Sequence, residues 1–200
     1  MRFYVIGSCR VHGPLRGRPG YQPALPGYTH TAKEAIQRIR FLCGELKIPD
    51  SVSPYVFSRS RAPAVTHRHR QAFDRSDVVL VEICSAKEVS LDGYWLNLNY
   101  AKDIKSDVRE AEDLEGDIKT LASMCKRLMV VQHVELPGIS DRSRFASQLR
   151  DVCEKLGVPV FVPADYVTPE EMLDVNHYRH EVVGRIGDRL MEFMVCKQAN

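Results

Sequence analysis

Short runs of apolar and β-branched residues, separated by longer helical patterns, are the feature that most constrains the fold of this chain. The runs "DVVLVEIC", "LMVVQHVEL" and "VPVFVPA" are apolar at nearly every position rather than at alternating ones. Such runs are typical of parallel strands that are covered on both faces. With two shorter runs, the predicted strands are Phe3–Ile6, Tyr55–Phe57, Val78–Ile83, Met129–Val134 and Val158–Val162.

Helical patterns occupy the segments between these strands. Thr31 and Glu34 form a capping-box pattern, and apolar residues follow them at helical spacing. Further helices are predicted over "HRHRQAFDRSD", "SDVREAEDLEGDIKTLASMCKRL" and "SDRSRFASQLRDVCEKLG", and a last one from about His177 to Cys196. Alternating strands and helices favour a parallel sheet with right-handed crossovers. We therefore predict an α/β fold with a five-stranded parallel sheet in a three-layer α/β/α sandwich, as a single domain over 1–200.

Composition and charge exclude several classes of function. The 200 residues are 44% apolar and 27% charged, with a net charge of +2, so nothing calls for a nucleic-acid partner. No window approaches the roughly 20 apolar residues of a membrane-spanning helix, and no signal-peptide pattern is visible. The six cysteines form no CxxC pair and no zinc-site spacing. We expect a cytoplasmic protein without a metal site or membrane span, and no pattern indicates an oligomeric state.

Residues that directly follow the predicted strands are the candidates for chemistry, because open α/β sheets bind ligands beyond the carboxyl ends of their strands. The first strand is followed by "GSCR", which contains Cys9, and then by the long segment "HGPLRGRPGYQPALPGYTH". Long loops in compact domains are often functional. Near the other end of the chain, "DVNHY" places Asp174 three residues before His177 and just ahead of the last predicted helix.

This combination resembles the SGNH (GDSL-type) hydrolase superfamily, in which a nucleophile follows the first strand and a D-x-x-H precedes the final helix. Gly7-Ser8-Cys9 stands where the family has G-D-S, which is similar to the GSCFA-type branch and to related capsule-polysaccharide biosynthesis proteins with a cysteine nucleophile. The resemblance covers essentially the whole chain in the order of its elements. It implies an SGNH/flavodoxin-like sandwich that hydrolyses or transfers acyl groups, in the capsule case onto a saccharide.

The chemistry of such a site starts from the thiol of Cys9. A thiol attacks an ester or thioester as the thiolate, and an ordinary cysteine has a pKa of about 8.5. We therefore expect an imidazole or a helix N-terminus to activate Cys9 and to lower its pKa. His177 is the predicted base, and Asp174 is predicted to fix its tautomer. The reaction would pass through a thioester on Cys9, and water or an acceptor hydroxyl would release the acyl group.

Oxyanion donors are less clearly marked in the sequence. The backbone N–H of Cys9 is one candidate. The resemblance implies two more donors, a Gly after the second strand and an Asn after the third. Ser58-Arg59-Ser60 stands where that glycine is expected, so Ser85 or Asn97 is predicted as a substitute donor.

Arginine is abundant in the segments predicted to face a ligand. Its planar guanidinium suits carboxylate, phosphate or sulfate, which favours an anionic substrate or donor such as a phosphorylated acyl carrier, coenzyme A or an acidic sugar. No resident cofactor is predicted. A buried carboxylate at Glu82 would need a partner, such as an arginine of this face. The residues predicted to contact substrate or an oxyanion are Ser8, Arg10, Arg59, Ser85, Asn97 and His133.

Two other hypotheses remain open. The protein could keep the fold without hydrolysis and bind an anionic nucleotide or sugar, which the missing glycine favours. A flavodoxin-like cofactor module is the third hypothesis, although no phosphate-cradling loop is visible. Rapid alkylation of Cys9 near pH ~6 would favour catalysis, because only a thiol of low pKa reacts fast there.

Overall fold

A parallel sheet of four strands lies at the centre of the computed structural model, which describes residues 1–102, 104, 108–136, 143–174 and 176–197. The strands are β1 (Phe3–Ile6), β2 (Val78–Ile83), β3 (Lys87–Leu91), β4 (Tyr94–Leu96), β5 (Val108–Glu110), β6 (Leu128–Gln132), β7 (Val160–Phe161), β8 (Met172–Asp174) and β9 (His177–Tyr178). The α-helices are α1 (Cys9–Leu15), α2 (Ala32–Cys43), α3 (Ser53–Phe57), α4 (His67–Asp74), α5 (Leu114–Met124), α6 (Ser143–Lys155) and α7 (His180–Cys196). Short 3₁₀ turns lie at Pro163–Asp165 and Pro169–Glu171.

The register of the parallel sheet places the end of β1 beside β2. The strand order is β1-β2-β6-β7, and all pairs are parallel. Ile6 pairs with Val81, so the next residues along the two strands, Gly7 and Glu82, are neighbours. The carboxyl ends of all four strands therefore point to one edge of the sheet, where "GSCR" begins.

Both faces of the sheet are buried, which explains why its strands are apolar at successive positions. Side chains of one face pack with α2, α5 and α6, and those of the other face pack with α1 and α7. The first face includes Tyr4, Ile6, Val79, Val81 and Val130. The second face includes Phe3, Val5, Val78, Leu80 and Met129. The predicted mixed α/β class with a parallel sheet is confirmed.

The predicted second strand, Tyr55–Phe57, is wrong. These residues belong to α3, which has Pro54 in its first turn, where the fixed φ of proline and its missing N–H suit a helix start. The outer edge of β1 is instead covered by the segment 16–30, which we call the excursion. Phe3 donates its N–H to Gly20 and accepts one from Gln22. The sheet therefore has four strands within the described residues, where five were predicted.

Three antiparallel strands form a second sheet that the sequence analysis did not predict. β3 pairs with β4 and with β5, and the turn between β3 and β4 is Asp92-Gly93, with φ values of 51° and 82°. Such an Asp-Gly turn is a strong hairpin signal. The helix predicted from residue 106 therefore starts later, at Leu114, after the N-cap Asp113. Residues 106–107 and 140–142, where two helix starts were predicted, lie outside the described residues.

The last helix also begins later than predicted. His177 and Tyr178 pair with β8 in a short hairpin, and α7 starts at His180. Within the described part of the chain, no helix is both long enough and apolar enough to cross a membrane.

Gly7 is a glycine because of its neighbour on β2. A Cβ atom at Gly7 would lie 2.7 Å from Glu82 Cβ, so Gly7→Ala is expected to lower the free energy of unfolding by about 1–3 kcal/mol. Urea unfolding at neutral pH measures this.

Gly13→Ala in α1 is the matched control. A Cβ atom there would meet nothing within 4 Å, and alanine favours a helix, so stability should stay constant or rise by up to about 1 kcal/mol. Equal unfolding free energies of the two variants would contradict the close approach of Gly7 and Glu82.

Candidate functional site

Cys9 is the first residue of α1 and follows β1 after only two residues. Ser8 is the N-cap of this helix, and its hydroxyl accepts a hydrogen bond from the Arg10 N–H at 3.3 Å. Ser8 and Arg10 are buried, whereas Cys9 is partly exposed. The local sequence therefore turns the chain from strand to helix and leaves the thiol accessible at the edge of the sheet.

Glu82 holds this turn in place from the end of β2. One carboxylate oxygen accepts the N–H of Ser8 at 2.6 Å, and the other accepts Nε of Arg10 at 2.7 Å. The side chains of Glu82 and Arg10 are 1% and 4% exposed. Burial by itself would raise the pKa of Glu82, but the Arg10 guanidinium and the hydrogen bonds with Ser8 outweigh it and lower the pKa. The arginine partner expected for Glu82 is therefore Arg10.

Arg10 also connects the turn to the hairpin formed by β8 and β9. Its Nη1 donates to Oδ1 of Asn176 at 3.3 Å. The N–H of Asn176 in turn donates to Oδ1 of Asp174 at 2.6 Å. The buried guanidinium of Arg10, the residue after Cys9, is thus hydrogen-bonded to Asn176, the residue before His177.

Asp174 and His177 form a hydrogen-bonded pair on this hairpin. Nδ1 of His177 lies 2.9 Å from each carboxylate oxygen of Asp174. The hydrogen bond from His177 lowers the pKa of Asp174. Both side chains are 51% exposed. An Asp bound at Nδ1 leaves Nε2 of the ring for proton exchange, and the role of His177 as a base stays a prediction.

The thiol of Cys9 does not have the lowered pKa that we expected. Burial raises the pKa of Cys9, and the Arg10 guanidinium lowers it by less. Among the described residues, Cys9 and His177 are not hydrogen-bonded to each other. The thiol is therefore mainly protonated at neutral pH.

Tyr178 is a further group beside Cys9 that the sequence analysis missed. The residue is buried, and burial raises the pKa of its hydroxyl, with the nearby Glu82 as the next cause. Cys9 and Arg10 also act on it electrostatically. The "HY" of "DVNHY" was the available signal, because a strand alternates its side chains and turns Tyr178 inward when His177 points outward.

Asn97 and Ser85 lie in other hydrogen-bond arrangements. Nδ2 of Asn97 is 3.1 Å from the Tyr28 carbonyl, from Nδ1 of His30 and from the Glu34 carboxylate. The amide of Asn97 therefore holds the end of the excursion against α2. Ser85 accepts the N–H of Lys87 at 3.0 Å, and both residues line a cavity of about 430 Å³ at the end of β2.

His133 and Arg59 are also separated from Cys9 in their contacts. His133 is buried after β6, with Nδ1 at 2.6 Å from the Val134 carbonyl and 3.5 Å from the Glu135 carboxylate. Arg59 lines a different cavity, of about 390 Å³, together with His12 and Arg16. Within the described residues, no three His, Cys, Asp or Glu side chains are grouped to hold a metal ion.

Comparisons with known proteins concern mainly the N-terminal half of the chain. Residues 1–114 match the family model described as the TviD N-terminal domain. Over 102 residues the chain is 37% identical to the Vi polysaccharide biosynthesis protein TviD of Salmonella typhi. The alignment covers 48% of this chain and 12% of that protein. No solved structure gives a significant match.

The matched range contains Cys9, Arg10 and Glu82, whereas Asp174 and His177 lie beyond it. The nucleophile candidate and its buried ion pair are therefore part of the family match. The predicted role of His177 as base has no support from the family match.

Glu82→Gln keeps the shape of the side chain but leaves the charge of Arg10 unpaired. Breaking a buried pair in this way costs about 3–5 kcal/mol, so the free energy of unfolding in urea at pH ~7 should fall by about that amount. Because the pKa of Glu82 is lowered in the folded protein, the pair stabilises it at neutral pH and less as the pH falls through that pKa. The difference in the free energy of unfolding between wild type and Glu82→Gln should therefore become smaller in acid.

Glu192→Gln is the control, because Glu192 pairs with Arg189 on the surface. Exposed pairs contribute about 0–1 kcal/mol. If Glu82→Gln costs no more than Glu192→Gln, the ion pair with Arg10 does not hold the turn.

Proposed function

The chain belongs to the TviD N-terminal domain family, and on that premise we propose that it takes part in polysaccharide biosynthesis as an SGNH-like acyl-transfer enzyme. Cys9 would accept an acyl group from an ester or thioester and pass it to a saccharide hydroxyl, or to water in a hydrolytic reaction. The observation that carries this proposal is the link from Cys9 through Arg10 to the Asp174–His177 hairpin.

The choice of a saccharide as the proposed acceptor is based on the name of the relative. The protein from Salmonella typhi is named for Vi polysaccharide biosynthesis. This chain aligns with only 12% of that protein's length, so the reaction is proposed for this chain and not for the whole of that protein. A saccharide acceptor agrees with that name, and its hydroxyl groups could attack a thioester on a cysteine nucleophile.

The first half of the reaction forms a thioester. Nε2 of His177 takes the proton of Cys9 while Sγ attacks the carbonyl carbon of the donor. The bond from that carbon to the donor's oxygen or sulfur breaks, and the leaving group takes the proton from His177. Asp174 keeps Nδ1 protonated and the ring oriented throughout.

The second half returns Cys9 to its thiol. Nε2 of His177 removes the proton of the acceptor hydroxyl, whose oxygen attacks the thioester carbonyl. The C–S bond breaks, the proton passes to the sulfur, and the acyl group leaves as an ester. Because burial raises the pKa of Cys9, the resting thiol is protonated, and the first half of the reaction needs His177 to take that proton.

The backbone N–H of Cys9 is the proposed oxyanion donor. Two neighbouring N–H groups have acceptors, because that of Ser8 binds Glu82 and that of Arg10 binds the Ser8 hydroxyl. Ser85 is not proposed as a second donor, because its hydroxyl accepts the Lys87 N–H and lines the cavity at the end of β2, whose described lining residues do not include Cys9.

Arg10 is a positioning residue in this proposal rather than a substrate contact. Its guanidinium donates to Glu82 and Asn176 and is almost fully buried. A planar fork can bind two acceptors at once, which the ammonium of lysine does with less geometric definition.

A second candidate function is binding without catalysis. The raised pKa of Cys9 and the engaged amide of Asn97 favour it. The protein would then hold an anionic nucleotide or sugar near the same edge of the sheet. Trapping of an acyl group on Cys9 distinguishes the two functions.

The test uses p-nitrophenyl acetate and acetyl coenzyme A as acyl donors and intact-protein mass spectrometry as the readout. Wild type should gain one acetyl group that hydroxylamine removes, as it does from a thioester. Cys9→Ala should gain none, and His177→Gln should be acylated about 10²–10⁴-fold more slowly, the usual contribution of a general base.

Cys196→Ser and His180→Gln are the matched controls, because both residues are exposed and lie on α7. They should react like wild type. Acylation of Cys9→Ala and His177→Gln at the wild-type rate would sink the acyl-transfer proposal. A wild type that stays unmodified would favour binding without catalysis.

A further inference from the structure

A cavity of about 390 Å³ lies between α1, the excursion and the end of α3. Its lining is aromatic and basic. The residues that matter here are His12, Arg16, Tyr21, Tyr28, Arg59 and Tyr100. No acidic side chain is among its described lining residues, so the cavity has a positive charge without a compensating carboxylate.

The aromatic part presents ring faces together with hydroxyl groups. The Tyr21 hydroxyl is 2.7 Å from Nδ1 of His12, and the Tyr28 N–H donates to the Tyr100 hydroxyl at 3.3 Å. The ring centroids of His12 and Tyr28 are 6.3 Å apart. Tyrosine combines an apolar ring with a polar tip, which suits the C–H face and the hydroxyl groups of a sugar.

The positive charge comes from two arginines. Arg16 and Arg59 are both exposed, and within the described residues neither forms an ion pair. The side chain of Arg16 hydrogen-bonds with Tyr21, and each guanidinium can bind a carboxylate or a phosphate with two parallel hydrogen bonds. Burial lowers the pKa of His12 to about 4, so His12 is neutral and can donate to or accept from a hydroxyl group.

Arg38 fixes the two walls of this cavity. Its guanidinium is buried, donates to the carbonyls of Pro26 in the excursion and Val56 in α3, and lies 4.5 Å from the Phe57 ring centroid. Ser58 then turns the chain with a φ of 57°, which is uncommon for a residue other than glycine. The walls are therefore preorganised rather than dependent on a ligand.

The cavity is connected to the turn that carries Cys9. His12 lies one helical turn after Cys9 in α1, and residues at this spacing are neighbours on a helix. The Thr29 N–H, next to Tyr28, donates to the Gly7 carbonyl at 3.4 Å. The cavity and the turn that carries Cys9 are therefore joined through α1 and through the end of the excursion.

We propose that this cavity binds a sugar residue that carries an anionic group, with Arg16 and Arg59 on the carboxylate or phosphate and the tyrosines on the ring. The inference rests on the proposed function and deepens it, because the sugar would belong to the acceptor saccharide.

The test is an NMR titration of the protein with glucuronic acid, glucose 6-phosphate and glucose. At least one anionic sugar should bind about 10-fold or more tightly than glucose, since a charge-assisted hydrogen bond contributes about 1.5–3 kcal/mol. The two anionic probes distinguish a carboxylate from a phosphate. Arg16→Gln and Arg59→Gln should each weaken that binding about 10-fold and leave glucose unaffected.

Arg61→Gln is the matched control, because Arg61 is exposed, follows Arg59 by two residues and does not line the cavity. Cys9→Ala should bind the sugar like wild type, so a failed acyl-transfer reaction and a failed sugar site give different results. Equal binding of all three sugars, or equal effects of the three arginine variants, would overturn the inference. ADP is titrated as a competing anionic ligand, and arginine-dependent binding of ADP without binding of either anionic sugar would also overturn the inference.

Discussion

The buried ion pair between Arg10 and Glu82 is the interaction on which the site depends. It brings together the turn after β1, the end of β2 and the hairpin before α7. Replacing a buried pair by apolar side chains is often neutral or stabilising, so stability alone does not account for a charge here. The pair instead fixes the positions of the surrounding elements, because its hydrogen bonds orient the N–H groups of the turn and the hairpin that carries His177.

The residues of the candidate site come from distant parts of the chain. Cys9, Glu82 and the lining of the cavity of about 390 Å³ lie within the part that matches the TviD N-terminal domain, residues 1–114. His177 lies outside that part, next to Asn176, which accepts a hydrogen bond from Arg10. The proposed nucleophile and the proposed acceptor site therefore lie in the matched part, and the proposed base lies outside it.

Local patterns predicted the parts of the structure that depend on local physics. Continuous apolar runs predicted β1, β2 and β6, because both faces of the sheet are buried. Cys9 was chosen by the rule that ligands bind beyond the carboxyl ends of strands, whereas His177 was chosen by the resemblance to SGNH hydrolases, and the catalytic roles of both stay predictions. The run Tyr55–Phe57 was wrongly predicted as a strand because three apolar residues fit either a strand or one helical turn, and Pro54 favours the helix. The contact of Arg10 with Asn176 joins residues 166 positions apart, and no local pattern predicts such a contact.

The pH dependence of Cys9 alkylation by iodoacetamide tests the central claim most directly. It should be compared among wild type, His177→Gln and Asn176→Ala, since Asn176 is exposed and its loss removes only the link between Arg10 and the hairpin. The wild-type rate should rise with an inflection above the ordinary pKa of a thiol, because burial raises the pKa of Cys9. If the link holds His177 at Cys9, both variants should alkylate more slowly than wild type at neutral pH, and their inflections should move higher still. Identical profiles for the three proteins would contradict the account.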